Sequence, residues 1–414
     1  MTRVALLPSA YPPSLGGVEE LTRHLALTLV DAGDEVEVWT GLPDDRKPET
    51  VEIRDGIVVR RLPLPLPATN WSSMLRAATT GPRTLFSLRN AADAFRPEVL
   101  HVQCFGPNGA YATALARLTG LPLVITLQGE TMMDDSDIFE VSTVLRASLR
   151  SGLKRAAAVT ACSAFTLADA EERFGLGRGR GVVIPNGVVL GPDGGGGSSA
   201  DRAPFVPVPS DPDLRYILAL GRVVDKKGFD LLLSAFAAME GDRRTADLVI
   251  AGAGPALEGL QRMAGELGVG DQVHFVGRLS RQDVASAMAG ATAFVMPSRL
   301  EPFGIVVLEA WRAGVAVVAT NRGGAPEFVD DGETGVLVDP FDTRGFAAAL
   351  TGLLSDDVRR LAIGRAGHDR VRAFDWTLIT EQYRRLYASI IDGTAAERGP
   401  DPQGDGAHLG EAVA

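Results

Sequence analysis

Two cysteines, Cys104 and Cys162, are all that 414 residues contain. Two thiols can build neither a disulfide framework nor a cysteine-rich zinc site, so each, at the end of an apolar run, reads as reduced and buried. Long apolar runs are missing too. No stretch reaches the roughly 18 residues of a transmembrane helix, and the opening Met1-Thr-Arg-Val-Ala-Leu-Leu-Pro8 lacks a secretory cleavage pattern. The cytoplasm is the expected place. Dense basic blocks are also absent: 41 Lys and Arg face 52 Asp and Glu, a net charge of −11, which argues against nucleic acid as a partner.

What is present is an ordinary globular composition, 45% hydrophobic and 22% charged, in a chain longer than one hydrophobic core supports. Two domains are therefore expected. Val4–Leu7 reads as a strand, Gly16-Gly17 as a loop, and Val18, Leu21, Leu25 and Leu29 as one face of a helix stopped by Gly33. Further strands are expected at Val36–Thr40, Ile57–Val59, Val99–Val102 and Leu123–Leu127. A second series starts at Tyr216–Leu220 and continues through Leu248–Ala251, Val273–Val276, Ala293–Met296 and Val315–Val318.

Strands alternating with helices imply an α/β chain of two doubly wound parallel sheets. The expected division is an N-terminal domain over 1–190, a Gly/Pro-rich linker or loop over 191–213 and a C-terminal domain over 214–375. A last amphipathic helix, 376–392, is expected to join the N-terminal domain, and the aperiodic tail 393–414 to be disordered. Ligands of such sheets bind beyond the carboxyl ends of the strands.

One such strand end leads into Arg299-Leu-Glu301-Pro-Phe-Gly-Ile-Val-Val-Leu-Glu309-Ala310, two acids eight residues apart around a Pro-Phe-Gly turn. A helix starting near Gly304 would offer free N–H groups and a positive dipole end to an anion, with Glu301 ahead of it and Glu309 in its second turn. Carboxylates beside a phosphate suit a ligand that also carries sugar hydroxyls. Taken alone, the two acids equally fit a dipole partner and a solvated helix face. Gly221-Arg222-Val-Val-Asp-Lys226-Lys227-Gly228 places cations at another strand end, enough for a diphosphate, although a basic surface loop reads the same way. Gly252-Ala-Gly254-Pro255, Asn321-Arg-Gly-Gly324 and Pro185-Asn186-Gly187 are further turns of this kind.

In this order, with Gly16-Gly17-Val18-Glu19 at the start and Gly323-Gly324 to Glu327 and Asp331-Gly-Glu-Thr-Gly335 at the end, these stretches resemble glycosyltransferase family 4. Its members are retaining enzymes of the GT-B fold, in which two Rossmann-like domains face each other across a cleft. The resemblance spans nearly the whole chain and implies a hexosyltransferase. It implies that Arg222 and Lys227 grip the donor diphosphate, that Glu301 meets the transferred sugar, and that Glu309 accepts from ribose hydroxyls. Phe303, Gly304 and Ile305 would supply backbone donors, Gly254 would shape a donor turn, Arg278 would lie beside the base, and Gly16 and Gly17 would approach the diphosphate from across the cleft. The donor implied is a nucleoside diphosphate sugar, with uridine the expected base; no further cofactor and no metal are implied. Asp134-Asp135-Ser-Asp137 has the look of a metal-binding acid cluster but lies outside the donor half.

The chain departs from the family at Thr126-Leu-Gln128-Gly129-Glu130, where relatives commonly carry His-Gly. Gln128 can bond a hydroxyl but cannot titrate near neutral pH. The expected acceptor set is Gln128, Glu130, Asp134 and His101, although His101 equally suits a satisfied core histidine. An acidic acceptor mouth would favour a cationic aminocyclitol or amino sugar, against the plainer reading of a solvated loop. The basic-amphipathic Pro63–Asn90 would instead favour a lipid-linked or polysaccharide acceptor with peripheral contact at the inner membrane face, against an ordinary lid or core helix. Readings from other classes are a glycosidase using Glu301 and Glu309, a non-catalytic sugar-nucleotide sensor and a GT-B epimerase.

Overall fold

The first sheet takes its order from short Val/Leu/Ile runs. Its strands are β1 (Arg3–Pro8), β2 (Glu35–Gly41), β3 (Thr50–Arg54), β4 (Ile57–Leu62), β5 (Val99–Gln103), β6 (Leu123–Leu127), β7 (Ala158–Ala161) and β8 (Gly181–Val183), arranged β3-β4-β2-β1-β5-β6-β7-β8. Only the edge strand β3 runs antiparallel to its neighbour. Every residue of β5 and β6 is buried, as expected of central strands covered on both faces. The structure, a computed structural model, describes residues 1–14, 16–43, 47–66, 71–134, 137–190, 215–239 and 246–394, with backbone alone for 71–73. The expected linker and nearly all of the expected tail lie outside these residues.

The second sheet holds β9 (Tyr216–Leu220), β10 (Asp247–Ala251), β11 (Val273–Gly277), β12 (Ala293–Met296), β13 (Val317–Thr320) and β14 (Val336–Val338) in the order β11-β10-β9-β12-β13-β14, all parallel. The strand expected at Val315–Val318 begins two residues later. Gly314, at φ +72, ends the preceding helix, and the Val315 N–H is held by the Ala310 carbonyl at 3.0 Å, so pairing with β12 starts only at the Ala316 carbonyl, which accepts from the Phe294 N–H at 2.9 Å. Strand order reverses between β9 and β12, and between β1 and β5 in the first sheet, which puts a ligand crevice at each of these places.

The helices of the first unit are α1 (Gly17–Asp31), α2 (Trp71–Phe95), α3 (Pro107–Thr119), α4 (Glu130–Met133), α5 (Ile138–Val141), α6 (Thr143–Arg155) and α7 (Ala164–Phe174). Those of the second are α8 (Phe229–Ala237), α9 (Leu257–Glu266), α10 (Arg281–Gly290), α11 (Ile305–Arg312), α12 (Thr343–Ser355) and α13 (Asp357–Arg370). α14 (Trp376–Ile391), capped by the Asp375 carboxylate, crosses back and buries Trp376, Ile379, Tyr383 and Tyr387 against α1 and the first sheet. Arg384 bonds Asp34 at 2.8 Å along the same seam. No helix among the described residues is long and apolar enough to cross a membrane.

Candidate active site

The carboxyl ends of β9 and β12 open onto a small recess of about 80 Å³, lined among others by Gly221, Lys227, Ser298, Glu301, Gly304 and Ile305. Glu301 is held there by its backbone. Its N–H bonds the Arg322 carbonyl and its own carbonyl accepts from Gly324, both at 2.9 Å. The turn fits only because positions 323 and 324 lack side chains: a Cβ would lie 2.0 Å from the Glu301 carbonyl oxygen or 2.1 Å from that of Pro302. The Glu301 carboxylate, nearly buried, takes the Lys227 ammonium at 2.6 Å and the Ser298 hydroxyl at 2.8 Å on one oxygen. Gly304, at φ +95 with no side-chain cap, starts α11, so the first N–H groups of that helix open toward the same recess.

Lys227 is positioned by a residue to which sequence reasoning gave no role. Arg299 forks onto both oxygens of Asp230 at 2.7 Å each and also donates to the Asp225 carbonyl at 2.7 Å, while its N–H bonds the Lys226 carbonyl at 3.0 Å. Burial raises the Asp230 pKa, but the Arg299 bonds outweigh it and hold the carboxyl below the usual carboxylate range. The signal in the sequence was an arginine two residues before the first acid, facing an Asp three residues after the lysine pair.

Arg222 is exposed just after Gly221, beside the recess. Glu309 stands in the second turn of α11, away from the recess lining, partly exposed yet surrounded by protein. Burial raises its pKa, Arg312 lowers it and Glu20 raises it further, with the net shift upward. The Phe303 ring is buried and stacked on Phe328 at 4.8 Å, leaving only its backbone for a ligand. Gly254 cannot carry a side chain because its Cβ would sit 2.2 Å from the Val223 carbonyl oxygen. Gly16 and Gly17 are exposed at the start of α1, and a Cβ at Gly17 would meet nothing within 4 Å. Arg278 is exposed after β11.

The expected acceptor residues turn inward. Glu130 does not offer a free carboxylate: one oxygen accepts from the Phe105 N–H at 2.6 Å and the other from that of Gln128 at 2.7 Å, tying together the loops after β5 and β6. Burial raises its pKa to about 7, with these backbone bonds opposing. His101 is sealed in the core, its ring nitrogens within 2.6 Å of the Tyr387 hydroxyl and 2.7 Å of the Thr126 hydroxyl, so it is no acceptor contact. The Asp134 carboxylate accepts from the Ile138 N–H at 2.9 Å, and Asp137 pairs with Lys226 at 2.8 Å. Asp135 lies outside the described residues. Glu130, Asp134 and Asp137, three of the acids expected to form an acidic mouth, are thus already engaged by the protein. Gln128 is partly exposed, and Gly129 beside it abuts Pro302 so closely that a Cβ would lie 2.1 Å from the proline ring.

The two units thus meet around the site. Lys226 also donates to the Met132 and Asp134 carbonyls at 3.1 and 2.6 Å, and the Ser163 hydroxyl donates to the Pro302 carbonyl at 2.6 Å. Glu327 accepts from the Ala164 and Phe165 N–H groups at 2.7 Å each, capping α7 from the other unit. Glu20 pairs with Arg281 across the same seam.

Residues 16–187 match the model of the glycosyl transferase 4-like domain and residues 204–370 that of glycosyl transferases group 1. A phosphatidyl-myo-inositol mannosyltransferase of Mycolicibacterium smegmatis is 30% identical over 381 residues, covering 91% of this chain and 90% of the relative. The chain belongs to this glycosyltransferase family. A D-inositol 3-phosphate glycosyltransferase of Kineococcus radiotolerans is 29% identical over 97% of this chain and 98% of its own length. The sucrose-phosphate synthase of Thermosynechococcus elongatus superposes with a TM-score of 0.76 over 95% of this chain and all of that one at 23% identity, a likeness of fold. This glycosyltransferase is a GT-B hexosyltransferase that works from nucleotide sugars.

Proposed function

We propose that this enzyme transfers a hexosyl group, with retention of configuration and without a metal, from a uridine diphosphate sugar to a hydroxyl of a small polar acceptor. The observation that carries this reading is the Lys227–Glu301 pair beside the uncapped start of α11. A cation, an acid and a row of N–H groups within one recess match a diphosphate bonded to a sugar. On donor binding Lys227 and Arg222 would turn to the diphosphate and stabilise the charge that grows on it as the glycosidic bond breaks. Glu301, released from Lys227, would accept from the transferred sugar. Glu309 would accept from the ribose. The departing phosphate oxygen would take the acceptor proton, with attack on the same face, so that positioning and electrostatics do most of the work.

A thermal-shift series with nucleoside diphosphates and their sugars in EDTA tests this. Ligand at about 100 times its Kd adds about 2.7 kcal/mol of apparent stability. One nucleotide should stabilise the wild type and not Lys227→Ala; no shift for any of them at millimolar concentration overturns the donor reading. The anomeric proton of the product reports retention.

For the acceptor a second reading has its own observation. Lys47, Arg76 and Arg83 face a single acid, Glu49, around a hollow of about 600 Å³ between the β3–β4 edge and α2. On α2, Met74, Leu75 and Phe86 are 48%, 55% and 66% exposed. Basic and apolar surface side by side supports a lipid-linked acceptor taken from an anionic membrane. Co-sedimentation with anionic but not neutral vesicles, lost in Arg83→Glu, would decide for the lipid; no co-sedimentation would leave the small polar acceptor.

A further inference from the structure

Beneath Gln128 lies a chain of neutral polar side chains, of which only His101 was expected to serve the acceptor. The Asn186 amide donates to the Gln128 Oε1 at 2.9 Å, and the Gln128 Nε2 donates to the Gln103 Oε1 at 3.3 Å. The Gln103 Nε2 lies 3.2 Å from the His101 Nε2, and the His101 Nδ1 lies 2.6 Å from the Tyr387 hydroxyl. Asn186, Gln103, His101 and Tyr387 are all buried, while Gln128 is half-exposed at the cleft end of β6.

The bonds run in one direction. With the Gln103 amide N–H toward the His101 Nε2, that nitrogen accepts and the ring proton sits on Nδ1, facing Tyr387; turning the Asn186, Gln128 and Gln103 amides over together would put it on Nε2, so the tautomer reports the direction of the chain. The Thr126 hydroxyl also lies 2.7 Å from the same Nε2 and 2.6 Å from the Thr160 hydroxyl. Reversing the Gln128 amide alone would set its NH₂ against the Asn186 NH₂ and its oxygen against the Gln103 oxygen, two repulsions at buried partners. Gln128 is thereby left with one N–H and one lone pair of fixed position next to the Glu301-Pro302 turn.

We propose that Asn186, Gln103 and His101, anchored by Tyr387 on α14, are positioning residues that lock the Gln128 amide to meet the sugar portion of the donor with a fixed N–H. The proposal rests on the donor reading above and adds a direction to it. Gln128 thus supplies an oriented donor that no pH change near neutrality can switch, and α14 secures it from the far side of the sheet.

Two measurements test this, and only the second needs a donor. Long-range ¹⁵N–¹H spectra of the imidazoles, with the His101 signals assigned by their loss in His101→Phe, should show protonation on Nδ1. A proton on Nε2 overturns the relay whether or not any nucleotide binds. In Asn186→Asp a carboxylate replaces the amide donor and must draw the Gln128 NH₂ toward itself. Nucleoside diphosphate alone should bind this variant as it binds the wild type, within about twofold, while kcat for transfer falls about tenfold or more through lost orientation. Asn186→Ser, which can still donate, should recover part of that rate. Equal loss of nucleoside diphosphate affinity, or unchanged kcat in Asn186→Asp, refutes the positioning role. A wild type that shows the Nδ1 proton yet binds no nucleotide would instead count against the donor reading.

Discussion

Both faces of the cleft carry charged and polar side chains but use them differently. On the donor face, Lys227 and Glu301 meet in a recess, each with protein contacts a ligand can replace. On the acceptor face, Glu130 holds two backbone N–H groups, Asp134 one, and His101 is sealed in the core. A polar residue at a strand end is thus not a ligand contact by position alone. What separates the two is whether the protein's own backbone has already claimed the side chain.

The strongest way to break this comparison is to remove the donor-face cation. Lys227→Ala should reduce kcat at least about a hundredfold, as loss of a preorganised charge does. It should also leave the Glu301 carboxylate with only Ser298, at a cost of about 1–3 kcal/mol. Donor titration and denaturant unfolding measure the two effects. If stability falls but donor binding and turnover stay, the donor face is as structural as the other.

The reverse expectation holds for Glu130. Its folded pKa of about 7 lies above the ordinary 4.5, so the folded protein binds this proton more tightly than the unfolded chain. The stability it contributes is therefore fully present below pH 4.5 and is lost as pH rises to about 7, an effect of about 3 kcal/mol. Burial works the other way on His101, lowered to about 3, and His24, lowered to about 4, whose contributions are present above pH 6.5 and fade as pH falls. In Glu130→Gln the decline between about pH 4.5 and 7 should vanish while the histidine-driven loss in acid remains. Urea unfolding from pH 4 to 8 checks both limbs. An unchanged profile would show that Glu130 is not the strap between the β5 and β6 loops.

Arg299 should give a smaller, mixed effect that sharpens the contrast. Arg299→Lys keeps a charge but loses the two-point grip on Asp230, so the Lys226-Lys227 loop loosens. About 1 kcal/mol of stability and a few-fold rise in donor KM are expected, with kcat less affected. A fall in kcat alone would mean that Arg299 acts on the reacting sugar rather than on the loop.

Much of this was legible in the sequence. β6, β9, β12 and α14 run as the residue pattern implies, because central parallel strands and amphipathic helices write their burial into the chain. The short strands β3, β7, β8 and β14 were not, since three to five residues at an edge or under a helix carry too little period. On the donor face the glycines and the paired acids stand in local runs, so Glu301, Lys227 and the start of α11 could be read together. The acceptor face depends on contacts across 25 residues or more, such as Phe105 with Glu130 and His101 with Tyr387, which no local pattern records.

Glycine separates the two uses most finely. At Gly254 the Val223 carbonyl stands where a Cβ would go, so Gly254→Ala must move backbone and should destabilise. At Gly17 nothing lies within 4 Å of the corresponding point, and the residue opens α1 in helical conformation. Gly17→Ala should therefore leave stability unchanged or raise it by about 0.5–1 kcal/mol, since it lowers the entropy of the unfolded chain. If that open space is kept for a diphosphate approaching from across the cleft, the same substitution should weaken donor binding. More stable protein with weaker nucleotide affinity, read in one melting series with and without donor, would show that the space serves the ligand. Equal affinity would make Gly17 a simple helix start and leave the diphosphate to the donor face alone.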